Sequence, residues 1–439
     1  MSDVGPSVDK EEETEMARHI KALITFRDGP ITLAEYMSEV LTNPTAGYYI
    51  NRDVFGTAGD FITSPEISQM FGEMVGIWAV STWMQLGSPE RVRIVEMGPG
   101  RGTLMADLLR GTAAFASFSS AVHVDMVEVS PALRSIQART LACGEPAPAD
   151  EQRAAGLSRL VPGRGVPVTW HRSLDAVPED MPTLYIGHEF IDALPVHQFQ
   201  KTERGWCERL VDVASPDSPL HLRLVLSPGP TPASRLLVPR RLKTLAPDIA
   251  ESILELEICP QGMAVAEKLA QRIAKSRGAA LLIDYGQDGP YGSSLLAIQK
   301  HKFTGLLEMP GTADISARVD FSALRAAVEG AGCGVAAYGP ITQASFLMGL
   351  GMGARLDALL RGATPEQAED LVRGFERLIG VPGMPGDGDA QGGRVGALQE
   401  DGMGISYKAM CLASPDLQQP PAPFDVLHGR ESSTSDDDQ

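Results

Sequence analysis

Four carboxylates in this chain stand at the ends of apolar runs, where a buried strand gives way to a turn. Glu96 lies near the end of residues 91–97. It is followed by Gly98, Gly100 and Gly102 at alternate positions, then by Thr103 and the helical spacing of Leu104, Leu108 and Leu109. Strand, glycine turn and helix form the opening of a nucleotide-binding α/β unit. The glycines let the backbone turn sharply and approach a ligand where a Cβ would collide, and the helix start presents unpaired N–H groups. Glu128 stands near the end of the next run, 123–129, where a carboxylate can accept both hydroxyls of a ribose. Glu189 follows the run that begins at Thr183, and Asp284 ends the run from Ala279. Ligands of open α/β sheets gather outside the carboxyl ends of the strands, so these acids mark one rim.

Spacing chooses among nucleotides. A dinucleotide fingerprint, G-x-G-x-x-G, requires glycine where Thr103 stands. The pattern Glu96-x-Gly98-x-Gly100-x-Gly102-Thr103 is instead similar to motif I of class I S-adenosylmethionine (SAM) methyltransferases. SAM carries no phosphate; it offers a zwitterionic amino-acid end, a ribose and an adenine. On this reading Gly98, Gly100, Gly102 and Glu128 bind the cofactor, Thr103 helps to close the turn, and Glu96 organises the amino end. The plainer alternative is a structural glycine turn beside an incidental acid.

The elements that must hold these residues follow from hydrophobic periods. Residues 14–41 carry a helical period, with Tyr36, Met37, Val40 and Leu41 on one apolar face. A long polar loop through 56–68 ends in helix-start chemistry, with Ser64 as N-cap and Pro65 at the first helical position. Beyond Glu128 helix and strand patterns alternate: helix 131–141, strands 166–171 and 183–190, a hairpin within 196–213, strand 222–226, a loop-like stretch 228–247, strand 253–258, helix 262–274, strand 279–285, helix 321–328 and strand 335–338. Helices over 344–360 and 365–379 and a last strand over 404–412 complete the chain. The alternation predicts an α/β fold with a mostly parallel, Rossmann-like sheet, a helical N-terminal region, a β-rich insertion and C-terminal helical additions, and the resemblance to motif I implies that it is a class I SAM-methyltransferase fold.

Composition sets the boundaries: disorder over 1–13, the helical region over 14–84, the core over 85–345 with its β-rich insertion at about 196–260, C-terminal helices and final strand over 346–412, and a disordered acidic tail over 413–439. Pro/Gly-rich insertions are expected at 145–165 and 381–397. The net charge of −18 and isoelectric point near 4.9 argue against a broad nucleic-acid-binding face. The five cysteines form no C-x-x-C pair, so neither a metal site nor a disulfide framework is expected, and a reducing compartment is the simplest inference. No apolar run approaches the length of a membrane span. Oligomeric state is not readable.

Several loop signatures occur in order: residues 32–37, Asn43-Pro44-Thr45-Ala46-Gly47-Tyr48-Tyr49, residues 59–68 with Asp60, Thr63 and Pro65, the glycine motif, His188-Glu189-Phe190-Ile191-Asp192, Asp284-Tyr285-Gly286, and residues 311–315 with Asp314. Together they closely resemble the MidA-like family of SAM-dependent methyltransferases. The resemblance implies SAM as cofactor, with Asp60, Thr63 and Pro65 on a loop that closes over it. It implies Glu189 and Asp192 as the catalytic acids, and Asp314 as either a cleft residue or a turn cap. It also implies protein-arginine methylation to symmetric dimethylarginine on an iron–sulfur subunit of respiratory complex I, aiding assembly in the mitochondrial matrix. Glu11, Glu12, Glu13 and Glu15 make an acidic start unlike a basic mitochondrial presequence, which leaves a cytoplasmic setting as the alternative. The competing functions are an inactive assembly factor on a methyltransferase scaffold, a dinucleotide oxidoreductase, and a methyltransferase for a small molecule or nucleic acid.

Overall fold

The structure is a computed structural model and describes residues 11–49, 63–143, 158–161, 165–300, 302–380 and 402–425. The insertion at 381–397, most of that at 145–165, Asp60 with its loop, and the acidic end of the chain lie outside the described residues.

In chain order the strands are β1 (Ile31–Thr32), β2 (Val92–Met97), β3 (Val122–Val127), β4 (Ser158–Val161), β5 (Val166–His171), β6 (Thr183–His188), β7 (His197–Thr202), β8 (Gly205–Val213) and β9 (Leu222–Leu226). They continue as β10 (Glu255–Ile258), β11 (Gly278–Gln287), β12 (Leu296–Gln299), β13 (Lys302–Thr304), β14 (Asp314–Ser316), β15 (Val319–Asp320), β16 (Ala336–Thr342) and β17 (Tyr407–Ala413). The central sheet runs β16-β17-β11-β6-β2-β3-β5-β4, with β15 beside the end of β11. Its middle strands, β11, β6, β2, β3 and β5, are parallel. Antiparallel pairs close the edges at β4 and at β17 with β16. Parallel strands covered on both faces need apolar side chains all along, and all six residues of β2 are buried.

The helices Gln69–Gln85 and Thr103–Gly111 cover one face through Phe71, Trp78, Leu104 and Leu108. The helices Pro260–Ser276 and Phe321–Gly330 cover the other through Leu269, Ile273, Phe321 and Leu324. A separate antiparallel sheet, β1-β8-β7-β10 with β9 on β8, is built from the insertion and one N-terminal strand. Its core joins Tyr36 and Met37 of the helix Leu33–Thr42 to Val211 of β8 and Ile315 of β14.

Several local expectations change. The helical period over 14–41 is two helices, Glu15–Arg27 and Leu33–Thr42. Asp28 in the left-handed region ends the first, and Gly29-Pro30 leads into β1. Thr63, not Ser64, stands at the N-cap position, and the helix Ser64–Ile67 stops after one turn because Ser68 caps a new helix with its own hydroxyl. The loop-like stretch 228–247 holds the helix Pro232–Leu242. Thr231 accepts from the Ser234 N–H, and Pro232 occupies the first turn, where its missing N–H is harmless. The period over 344–360 breaks into Gln343–Gly349 and Met352–Leu360 at Gly351, φ +92. Packing continues past residue 413, where a disordered tail was expected to begin: Phe424 is buried in the main core.

Candidate active site

A cavity of about 500 Å³ opens at the carboxyl ends of β2, β3, β6 and β11, where the strand order reverses between β2 and β6. That is the switch point at which open α/β sheets hold ligands. The volume lies within the roughly 300–1,000 Å³ of small-molecule and cofactor sites. Gly98, Gly100 and Thr103 line it, as do Thr63 and Pro65. Gly98 has φ +63, and a Cβ there would stand 2.8 Å from Cδ2 of Phe190, so the turn needs glycine. Gly102 sits just outside the lining: at φ +80 it precedes the helix Thr103–Gly111 and packs on Gln137.

Two acids accompany this turn. Glu96 is buried, its Oε2 has no hydrogen-bond partner, and desolvation pushes its carboxyl up to about 8. Glu128 accepts from the Ser130 N–H on Oε1, 2.8 Å, and from Gln137 Nε2 on Oε2, 3.2 Å. Each oxygen keeps a lone pair for another donor. Burial raises its pKa, and these two hydrogen bonds oppose the rise.

A second cluster lies on the turn after β6. Glu189 adopts φ +47, donates its N–H to the Ile283 carbonyl and accepts from the Ser64 N–H on Oε1 at 3.3 Å. Burial first, then the Asp284 charge, push its carboxyl up to about 8. Asp192 leaves Oδ1 buried without a partner, and its pKa is raised by burial and by Asp284, Glu189 and Asp314. Asp284 stands behind both: its Oδ2 accepts from the N–H groups of Phe190, Ile191 and Asp192 at 3.2, 2.9 and 3.2 Å. It therefore fixes the loop rather than facing the cavity. Asp314 lines the cavity and accepts from the Tyr49 hydroxyl at 2.6 Å, which favours its cleft reading over a turn cap. Among the described lining residues Glu66, Glu96, Glu128, Glu189, Asp192 and Asp314 outnumber the cations Arg101 and Arg377. A cavity so rich in carboxyls favours cationic ligands, which draw those groups into their ionised form.

Residues 74–341 match the family model of the S-adenosyl-L-methionine-dependent methyltransferases. The chain belongs to this family. It is 44% identical over 371 residues to the mitochondrial protein arginine methyltransferase NDUFAF7 of Mus musculus, covering 83% of this chain and 81% of that protein. The homologue in Drosophila melanogaster is 43% identical over 368 residues, 83% and 81% of the two chains. A solved superfamily member from Burkholderia thailandensis, bound to S-adenosyl-homocysteine, superposes with a TM-score of 0.69 at 25% identity, over 94% of this chain and 96% of that one.

For a methyltransferase of this family, with SAM as its cofactor, the donor set fits. The unpartnered Glu96 Oε2 is the acceptor a buried ammonium requires, and Gly98 and Gly100 bring the backbone of the turn to the cavity wall. Glu96 would hold the amino end and Glu128 the ribose hydroxyls. Of the residues expected from sequence, Glu96, Gly98, Gly100, Thr103, Glu128, Thr63, Pro65, Glu189 and Asp192 share one lining. Gly102 supports that lining from behind, and Asp60 lies outside the described residues. Two residues carried no local signal for this site: Gln137 bridges Gly100 and Glu128 from the middle of a helix, and the cation Arg377 comes from a distant helix. Tyr49 and Tyr285 stood within recognised loop signatures, and the half-buried Tyr407 on the last expected strand, but none had an assigned part.

Proposed function

We propose that this methyltransferase transfers the methyl group of SAM to an arginine side chain of a protein. The observation that carries the reading is the carboxylate set Glu189, Asp192 and Asp314 on one cavity wall, with Asp192 Oδ1 unpartnered. The names of the relatives point the same way. A guanidinium is planar, permanently charged at neutral pH and matched by carboxylates in a bidentate fork. Asp192 and Asp314 would hold it and aim one nitrogen. SAM supplies an electrophilic methyl group and leaves as S-adenosylhomocysteine. The nitrogen that gains carbon must lose a proton, and Glu189 is the group to take it. Burial pushes its carboxyl up to about 8 in the free protein, and an arriving guanidinium favours its ionised form. Positioning and electrostatics supply most of the catalysis.

The finer reading, from the family resemblance, is symmetric dimethylarginine on an iron–sulfur subunit of complex I in the mitochondrial matrix. It is tested by incubating the purified protein with methyl-tritiated SAM and that subunit, then analysing the amino acids after hydrolysis. Label in symmetric dimethylarginine is expected. Asp192→Asn is expected to lower the rate by about 100-fold while leaving SAM affinity within about 3-fold, a change below 1 kcal/mol. Label on another residue type, or none in a protein that binds SAM, would overturn the arginine reading. Asymmetric product would overturn only the symmetry.

A further inference from the structure

His188 ends β6 with its ring against Phe71, centroids 4.7 Å apart. The transfer chemistry above leaves it without a part. It is buried and lines the cavity, and its Nε2 makes no hydrogen bond although Oε1 of Glu189 stands 3.3 Å away. Desolvation pushes the imidazole down to about 3, so it stays uncharged at neutral pH and does not form an ion pair with Glu189. An unpartnered buried ring nitrogen in a site calls for an explanation. Hydrogen bonds of empty sites are often poorly aligned and tighten in the working state. Oε1 already accepts from the Ser64 N–H.

We propose that His188 is a positioning residue for Glu189: with its proton on Nε2 it donates to Oε1 after a small ring rotation, and so presents Oε2 to the proton leaving the acceptor. The inference rests on the proton-accepting role given to Glu189 above. In the transfer the guanidinium N–H bond breaks and the proton passes to Oε2. Oε1 becomes the carbonyl oxygen of the carboxyl and still accepts from Nε2–H, so no proton has to leave the imidazole.

The groups that face Glu189 are Asp192 on its own loop, Asp284 on β11, Asp314 on β14, Glu66 on the helix Ser64–Ile67, Arg377 on the helix Pro365–Ile379 and Tyr407 on β17. The acids and burial favour the protonated form. The Ser64 and His188 donors favour the ionised form. Removing one donor therefore moves the titration of Glu189 upward.

Carbon-13 NMR of protein labelled at glutamate carboxyls, with S-adenosylhomocysteine present, follows that titration without an acceptor. A Glu189→Gln spectrum assigns the signal. His188→Phe keeps a ring on Phe71 and removes the N–H, and His188→Gln restores a donor. The midpoint is expected to rise by about one pH unit in the Phe variant and to return in the Gln variant. An unmoved midpoint in His188→Phe overturns the proposal. Should that variant fail to fold, nitrogen-15 shifts of His188 in the wild type decide: a protonated Nε2 supports the proposal and a bare one overturns it. The underlying reading fails separately. Glu189→Gln with wild-type methyl transfer removes the proton-acceptor role, whereas a slow Glu189→Gln with an unmoved midpoint removes only the part given to His188.

Discussion

Gln137 ties the cofactor half of the site together. Its Nε2 donates to the Gly100 carbonyl at 2.8 Å and to Glu128 Oε2 at 3.2 Å, and its Oε1 accepts from Trp170 Nε1 at 2.9 Å. One amide thus joins the glycine turn, Glu128 and β5. Gln137→Leu would strand the half-buried Gly100 carbonyl and the buried Trp170 indole N–H, the latter at about 1–3 kcal/mol. SAM affinity is expected to fall roughly tenfold, equivalent to about 1.4 kcal/mol, with a lower melting temperature. Calorimetry beside a melting curve checks both, and unchanged affinity would confine Gln137 to stability. The glycines, Glu96 and Glu128 were legible because a tight turn between a strand and a helix forces residue types into consecutive positions. Gln137 was not, because its partners lie 37, 9 and 33 residues away and its own helix has no pattern that asks for an amide. His188 was visible within a recognised motif, but its orphaned nitrogen exists only once β6 stands beside the helix Gln69–Gln85.

The C-terminal helices hold the short helix that carries Ser64 and Pro65. Gln343 reaches the Ser64 hydroxyl at 3.5 Å and donates to the Leu378 carbonyl at 2.9 Å. Gly374, on the helix Pro365–Ile379, packs so closely that a Cβ would meet the Ile67 carbonyl and Ser68 Cβ at 3.2 Å each. Gly374→Val is expected to push this contact apart, costing about 1–3 kcal/mol as overpacking does. It should also pull the Ser64 N–H from Glu189, slowing methyl transfer several-fold. Stopped-assay kinetics beside thermal unfolding separate the effects; a lower melting temperature with wild-type turnover would mean the contact serves stability alone. At this scale the parallel strands were readable as continuous apolar runs. The helix Pro232–Leu242 was not, because Pro232 and Pro239 read as loop residues when their positions within a helix are unknown. Nor was the pairing of Ile31 with Val211, since a two-residue strand has no period.

Across the whole molecule, part of the acidity that argues against a broad nucleic-acid-binding face lies in the site as buried carboxyls. Glu96 and Glu189 are each pushed up to about 8 in the free protein. Between about pH 4.5 and 8 the unfolded chain has released these protons while the folded chain retains them. The folded state binds more protons, so their contribution to stability falls as pH rises through that window and levels off above it. A ligand ammonium beside Glu96 reverses the preference, because an adjacent positive charge favours the carboxylate. At pH 6.5 the α-amino group of SAM is cationic, its ordinary value being about 8, and Glu96 in the free protein is mostly protonated. Binding is therefore expected to expel close to one proton from Glu96. Calorimetric titration in buffers of different ionisation enthalpy counts it directly. Glu96→Gln should lose that proton from the count, whereas any proton released from Glu189 by the sulfonium persists in the variant and appears as the remainder. An identical count in the two proteins would mean that the amino end of SAM does not sit on Glu96.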